Sequence, residues 1–444
     1  MEKTLNIYGA GLAGCEAAWQ AAKLGVSVKL YEMKPQKYTP AHHSQGFAEL
    51  VCSNSLRSDS VTNAVGLLKE EMRRMGSLIL EAADATRVPA GSALAVDRDR
   101  FSDYITEKIK NHPLIEVISM EAVDVKDGEV TVIATGPLTS DTMAEYIEKE
   151  LGCDGLHFFD AAAPIVDADS INMDIAFFAS RYDKGDADYI NCPMTEEQYN
   201  AFWEALVTAE EAALKEFDKE EQKKNIKVFE GCMPVEVMAR RGHDTLLFGP
   251  LKPVGLVDKR TGKEAHAVVQ LRRENLEGTI YNLVGFQTHL TFPEQRRVFR
   301  MIPGLENADF LRYGVMHRNT YLNSPELLDA SYRMRTRENV YFAGQMTGVE
   351  GYIESAGSGF VAGINAARQM LGLDAIVFPR TMMIGAMADY VSRGGNSSFV
   401  PMNANFGIIE PLPMRVKGGK IAKYEVLANR SLEETAKYVG NLDK

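Results

Sequence analysis

Residues 5–32 constrain this chain more than any other stretch. An apolar run, Leu5-Asn6-Ile7-Tyr8, enters Gly9-Ala10-Gly11-Leu12-Ala13-Gly14; a small-residue helix from Cys15 to Leu24 and a second strand ending at Tyr31 then lead to Glu32. Strand, glycine turn, helix, strand and acid stand in the order of a dinucleotide-binding fingerprint. Gly9 predicts a tight turn, Gly11 a backbone that a pyrophosphate can approach, and Gly14 a close contact between helix and strand. The unpaired N–H groups at the positive end of that helix are the expected pyrophosphate site. Glu32 is the expected acceptor for ribose hydroxyls.

At 444 residues, 45% hydrophobic and 25% charged, the chain has the size and composition of a globular enzyme with two or three cores. Its N-terminus enters the first strand without a cationic, then apolar, leader, which argues against secretion. No apolar run approaches the ~18 residues that suggest a membrane span. Five cysteines without CxxC spacing make neither a disulfide frame nor a zinc site, so we expect free thiols and a reducing, cytoplasmic setting. The net charge of -12 opposes indiscriminate nucleic-acid binding. However, Val237 to Arg300 holds eleven Lys/Arg against six acids, a locally basic segment that suits either a phosphate footprint or a solvated surface.

After Glu32 comes a long loop to Ser60, carrying His42-His43 and Cys52. Loops of this length inside a compact domain are usually functional. Arg57 is a candidate to ionise the Cys52 thiol, although buried small hydrophobe is the commoner fate of an isolated cysteine. The histidines are assigned no metal. Gly66 to Asp84 has the period of one amphipathic helix. Val130 to Ile133 reads as a strand ending in Ala134-Thr135-Gly136, and such a turn lies against the dinucleotide in flavoproteins of the glutathione-reductase type; this step is analogy. Thr195 to Lys224 reads as a long helix, and Lys227 to Glu236 as a strand entering a turn. Cys232 there and Cys192 in Asn191-Cys192-Pro193 are almost equally eligible as nucleophiles by spacing. Asn339 to Gln345 reads as a buried strand with Gly344 at its end. It is followed by a loop through Gly351 and a helix, opening near Ser355, whose small residues would let it approach a cofactor. A closing helix is expected from Leu432. One full GxGxxG occurs, so one dinucleotide is held tightly and no second fold is dedicated to NAD(P)H.

The motifs GAGLAGCEAAW, YEMKP, ELVCSNSLRSD, AVDRDRFS, ATGPLTS, FEGCMP, GFQTHLTFPEQ and YFAGQMTGVEGYIESAGSG together resemble the folate- and FAD-dependent tRNA (uracil-5-)-methyltransferase family, TrmFO, from end to end. The later motifs also resemble the related flavoprotein GidA (MnmG), which is longer at its C-terminus. The resemblance implies an α/β fold: a Rossmann-like FAD-binding domain of glutathione-reductase type (1–160 and 330–444) with an inserted α+β domain for substrate and tRNA (161–329). It implies that reduced FAD relays a one-carbon unit from 5,10-methylenetetrahydrofolate to C5 of uridine 54 in the tRNA T loop, with NAD(P)H as reductant. The cofactor would be held by Gly9 to Gly14, Glu32, Thr135, Gly136, Gly344, Gln345, Gly351 and Ser355. The resemblance places the thiolate that adds to uracil C6 at Cys232 and the base that takes the C5 proton at Cys52; the reverse assignment stays open. Arg240, Arg241, Arg272, Arg273, Arg296 and Arg297 are the candidates for RNA phosphates, with the two members of a pair on opposite faces of a strand. Alternatives are the same chemistry on ribosomal RNA, a GidA-like modification, an RNA-folding flavoprotein whose cysteines are dispensable, and a small-metabolite oxidoreductase.

Overall fold

The computed structural model describes residues 4–442, apart from 40, 150, 153–154, 162, 184–185, 213–232, 274–277, 315, 394–398, 400 and 415. Five short strands form a parallel sheet in the spatial order Val340–Phe342, Thr131–Ile133, Leu5–Tyr8, Val28–Glu32, Ile115–Ser119. Tyr8 pairs with Tyr31 on one side and Ile133 on the other. The chain therefore leaves the first strand toward one flank and later returns to the other, and the crevice at such a reversal is where open α/β sheets bind ligands.

A second sheet is antiparallel throughout: Phe177–Ala179, Tyr189–Met194, Ala267–Arg273, Ile280–Leu283, Ile165–Asp167, Phe310–Arg312. Helices Glu196–Val207, Val235–Arg240 and Phe292–Phe299 bury their apolar sides in the core attached to it. That core draws on residues between Val166 and Ala308, whereas the core around the parallel sheet draws on Leu5 to Leu151 and Tyr321 to Ala428. Strands Gly155–Ala161 and Met316–Leu322 pair antiparallel along their length between these regions, one leading out and one leading back.

Several sequence expectations change in the structure. The first helix is Leu12–Lys23, so Gly14 lies inside it rather than before it. The 66–84 stretch is two helices, Ala64–Arg74 and Leu78–Ala85. Gly76 breaks it at φ +80, and Ser77 caps the second helix while donating to the buried Glu16. The helix expected from Thr195 runs only over Glu196–Val207, started by a capping box between Thr195 and Gln198; the continuation to Lys224 falls largely outside the described residues. Val235 and Glu236 are helical, not part of a strand and turn. The closing helix is Gly419–Thr435, so Leu432 lies in its last turn.

The small residues of helix Tyr352–Leu371 serve a different neighbour from the one expected. A Cβ on Gly359 would lie 2.1 Å from the Ala13 carbonyl oxygen, and one on Gly363 2.5 Å from the Ala17 Cα. These glycines seat the helix on the backbone of Leu12–Lys23 and so stiffen the glycine turn from behind. Among the described residues, no helix is long and apolar enough to cross a membrane.

Candidate active site

Turns at the C-terminal ends of the parallel strands line one cavity. A Cβ on Gly9 would lie 2.6 Å from the Ala134 carbonyl oxygen, and one on Gly14 only 1.8 Å from the Gly9 carbonyl oxygen; both positions are closed by backbone. A Cβ on Gly11 would meet nothing within 4 Å. The turn is thus packed behind and open in front, and the helix begins at Gly11 without a side-chain cap. That leaves its first N–H groups for an anion. At the end of the second strand, Glu32 accepts hydrogen bonds from the Ala10 N–H (2.9 Å) and the Lys34 N–H (3.0 Å). A carboxylate has acceptor capacity beyond two bonds, so Glu32 retains room for ribose hydroxyls. These residues fit a pyrophosphate-linked dinucleotide.

Ala10, Leu12, Ala13, Thr135, Gly136, Gly344, Gln345, Ser355 and Cys52 line the same cavity as Gly9, Gly11 and Glu32. Gly14 and Gly351 are not in its wall. Gly14 packs the turn, and Gly351, at φ +122, opens helix Tyr352–Leu371 with the Glu354 carboxylate filling the place of a Cβ. Gln345 lines the cavity while its amide donates to Glu350.

Cys52 sits in a segment whose residues are held, one after another, by distant side chains. Arg98 donates to the Leu50 carbonyl and Arg312 to the Val51 carbonyl, each at 2.7 Å. The Tyr352 hydroxyl oxygen accepts the N–H groups of Cys52 (2.9 Å) and Ser53 (3.2 Å) and lies 2.9 Å from Cys52 Sγ. Arg272 donates to Ser53 Oγ (2.6 Å) and Asn54 Oδ1 (3.0 Å), and Asn54 in turn donates to the Val96 and Arg273 carbonyls. Having accepted two N–H groups, the Tyr352 oxygen has its single hydrogen left to give, and Sγ is the acceptor beside it. Burial and the neighbouring thiol hold the Tyr352 phenol well above its ordinary value, so it stays a donor. Arg57, the expected ionising partner, turns away: its backbone is left-handed (φ 66) and its guanidinium pairs with Glu354 at 3.1 Å.

The cavity wall also contains Lys34 and Glu49, to which sequence reasoning assigned no role, and His42, which the sequence offered as a possible phosphate or substrate ligand. Glu49 accepts the backbone N–H groups of His43 and Ser44, folding the loop on itself, and Lys34 reaches the Gly46 carbonyl. His42 lines the cavity beside Thr39, with its pKa depressed to about 4 by burial and then by Lys34. It is a neutral hydrogen-bonding group at pH 7. No metal-binding group of His, Cys, Asp and Glu occurs among the described residues. Tyr352, like Lys34 and Glu49, lies inside a motif already singled out, but its role becomes visible only in the fold.

Of the other thiols, Cys15 is buried and bonded to the Ala10 carbonyl. Cys192 is fully buried in strand Tyr189–Met194, and burial pushes its thiol up to about 12, which removes it as a nucleophile. Cys232 lies outside the described residues; the chain is described again from Met233. There the Val235 N–H donates to the Gln287 carbonyl, and Glu236 accepts from Thr288 Oγ1 and the His289 N–H.

The six candidate arginines separate. Arg272 is buried against the Cys52 segment and is not available to RNA. The Arg273 guanidinium folds against Gly278. Only this pair lies on a strand. Arg240 and Arg241 end a helix, with Arg240 engaged by Glu211, and Arg296 and Arg297 lie on helix Phe292–Phe299, with Arg297 paired to Glu294 at 2.6 Å. Arg241 and Arg296 are exposed and make no ion pair among the described residues.

A family model described as "Glucose inhibited division protein A" matches residues 4–374. A relative named methylenetetrahydrofolate--tRNA-(uracil-5-)-methyltransferase TrmFO from Enterococcus faecalis is 58% identical over 443 residues, covering 100% of both chains. One of the same name from Acetivibrio thermocellus is 60% identical over 435 residues, 98% of each. Among solved structures, Aquifex aeolicus GidA superposes with a TM-score of 0.71 at 18% identity, over 99% of this chain and 76% of that one.

Proposed function

The chain belongs to the glucose-inhibited division protein A family and, within it, to the methylenetetrahydrofolate–tRNA-(uracil-5-)-methyltransferases, and on that premise we propose how its residues divide the reaction. It is a flavoprotein that methylates a tRNA uracil at C5 with carbon from methylenetetrahydrofolate. We propose FAD in the cavity of Gly9, Gly11 and Glu32, uridine 54 of the T loop as target, and NAD(P)H as reductant. FAD, when bound, supplies the two-electron reduction that takes the transferred carbon from the methylene to the methyl level.

Uracil C5 is a weak nucleophile. Addition of the Cys232 thiolate to C6 would place the electron pair at C5, which then attacks the methylene carbon carried on nitrogen. Loss of the C5 proton expels that nitrogen and leaves an exocyclic methylene, and addition of a hydride to it, with departure of the thiolate from C6, gives the methyl group and restores the ring. The proton acceptor is Cys52 in this reading. The observation that carries it is the Tyr352 hydroxyl, whose oxygen accepts two backbone N–H groups of the Cys52 segment and lies 2.9 Å from Sγ, which leaves its own hydrogen to be donated to the sulfur. An O–H group aimed at sulfur favours the thiolate, the form in which a cysteine accepts a proton. The uridine has to leave its stack to reach this cavity, as bases acted on by enzymes generally do.

Arg272 is a positioning residue in this scheme. Replacing it with Ala leaves Ser53 Oγ and Asn54 Oδ1 without their donor and loosens the segment that carries Cys52. We expect the single-turnover methylation rate to fall by about 100-fold, the scale for slight misplacement of a reacting group, with flavin content retained. Arg272→Lys, which restores the charge but not the forked contact, should recover only part of it.

The reading is tested with FAD-loaded protein, unmodified tRNA transcript, methylenetetrahydrofolate and NADPH or NADH, scoring 5-methyluridine by nucleoside mass spectrometry. Product that disappears when position 54 is changed to cytidine supports it. Product that survives the change, or that forms on ribosomal RNA but not tRNA, contradicts it.

A further inference from the structure

We propose that the exposed ring of Phe292 is a stacking platform for a nucleobase of the tRNA, and that Arg296 takes the phosphate next to it. This rests on the tRNA reading above and assigns part of the surface that would hold the RNA. Phe292 is the first residue of helix Phe292–Phe299 and is 52% exposed. One face of the ring is used. It stacks on Tyr313 at 5.1 Å between centroids and 21° between planes, and Tyr313 stacks on Phe310 at 5.5 Å and 15°. Phe310 leans on Phe299, and Phe299 meets Phe286 edge to face, both of them fully buried. A ladder of rings thus runs from the core of the antiparallel sheet to the half-exposed ring of Phe292. A base has a π-face to continue such a ladder, whatever its identity.

The place of this rung in the fold favours RNA. Arg312, next to Tyr313, holds the Val51 carbonyl, one residue before Cys52. The segment leading into Phe292 binds the described residues that follow Cys232 in sequence: Gln287, Thr288 and His289 hold Val235 and Glu236. The ladder is therefore joined through its backbone to residues that hold the Cys52 segment on one side and Val235 and Glu236 on the other. Arg296 follows Phe292 by four residues, so the two share one face of the helix about one turn apart. Arg296 is exposed and makes no ion pair among the described residues, while its neighbour Arg297 is neutralised by Glu294. An aromatic face and an exposed guanidinium at this spacing match a base and its backbone phosphate.

The test uses FAD-loaded full-length protein, wild type and the variants Phe292→Leu, Phe292→Trp and Arg296→Gln. Affinity for tRNA transcript is measured by filter binding over a series of salt concentrations, alongside KM for tRNA. Flavin content and melting temperature confirm that each variant is folded. Phe292→Leu, which keeps apolar contact with Tyr313 but loses the ring, should weaken tRNA binding by about tenfold and leave the salt slope unchanged. Phe292→Trp should bind as tightly as wild type or more so. Arg296→Gln should reduce the salt slope by about one. Wild-type affinity in Phe292→Leu, or weakening in Phe292→Trp equal to that in Phe292→Leu, would mean that the ring merely covers Tyr313 and overturns the proposal with the methyltransferase reading intact. Failure of the wild type to bind tRNA would overturn both.

Discussion

Cys52→Ala should lower the single-turnover rate of tRNA methylation by about a thousandfold or more, within the range expected for loss of a positioned proton acceptor, with FAD still bound. The residue is a short side chain in a segment pinned by Arg98, Arg312, Tyr352 and Arg272, so its removal leaves the backbone in place. The stage at which the variant stalls separates the two possible roles of this thiol. If Cys52 takes the C5 proton, addition of Cys232 to C6 and carbon transfer still occur, and the reaction stops with protein and RNA covalently joined. Such a species survives denaturing electrophoresis. If Cys52 were the thiolate that adds to C6, Cys52→Ala would form no adduct and Cys232→Ala would. Cys52→Ser is expected to be as slow as the alanine variant, because a serine hydroxyl is far harder to ionise than a thiol.

Gly14→Ala should cost the protein its flavin. The new methyl group would start 1.8 Å from the Gly9 carbonyl oxygen, and neither backbone can yield, because helix Tyr352–Leu371 is seated through Gly359 on Ala13 from the other side. Overpacking of this kind destabilises by about 3 kcal/mol, the upper end of the usual range, and opens the turn on which the pyrophosphate depends. Gly11→Ala is the informative contrast. Its methyl group meets no protein atom within 4 Å, so the apoprotein should melt like the wild type, yet the group projects where the pyrophosphate would approach. Flavin content after purification and the melting curve of the apoprotein separate the two: Gly14→Ala is low in both, Gly11→Ala in the first alone. A Gly14→Ala protein with full flavin and an unchanged melting temperature would mean that the helix start does not pack as described.

The contrast between these glycines also shows what a sequence makes legible. Gly9, Gly11 and Gly14 carry their roles in their spacing, because the demands of a turn, a close approach and a tight contact are local. Glu32 is equally local, one helix and one strand further on. Tyr352 and Cys52 are 300 residues apart in the chain and meet only because helix Tyr352–Leu371 starts at the rim of the cavity. Arg272 illustrates the same limit from the other side. Its charge and its place in a basic segment suggest an RNA contact, whereas Asn54, 218 residues earlier, takes its guanidinium into the protein. Gly359 and Gly363 correctly signal a close approach but do not say to what; the answer, the backbone of the first helix, is a tertiary fact. Gly76 ends a helix within an unbroken hydrophobic period, since a left-handed residue followed by a capping Ser77 outweighs the period on either side.

In the reaction proposed, methylenetetrahydrofolate supplies the methyl carbon to uracil C5 in the cavity that holds Cys52. The most direct measurement supplies FAD-loaded protein with unmodified tRNA, NADPH and methylenetetrahydrofolate carrying carbon-13 in the methylene group, and weighs the 5-methyluridine released by digestion. Product heavier by one mass unit, formed by the wild type and lost in Cys52→Ala, is the predicted result. Unlabelled product, or labelled product formed equally well by Cys52→Ala, would contradict it.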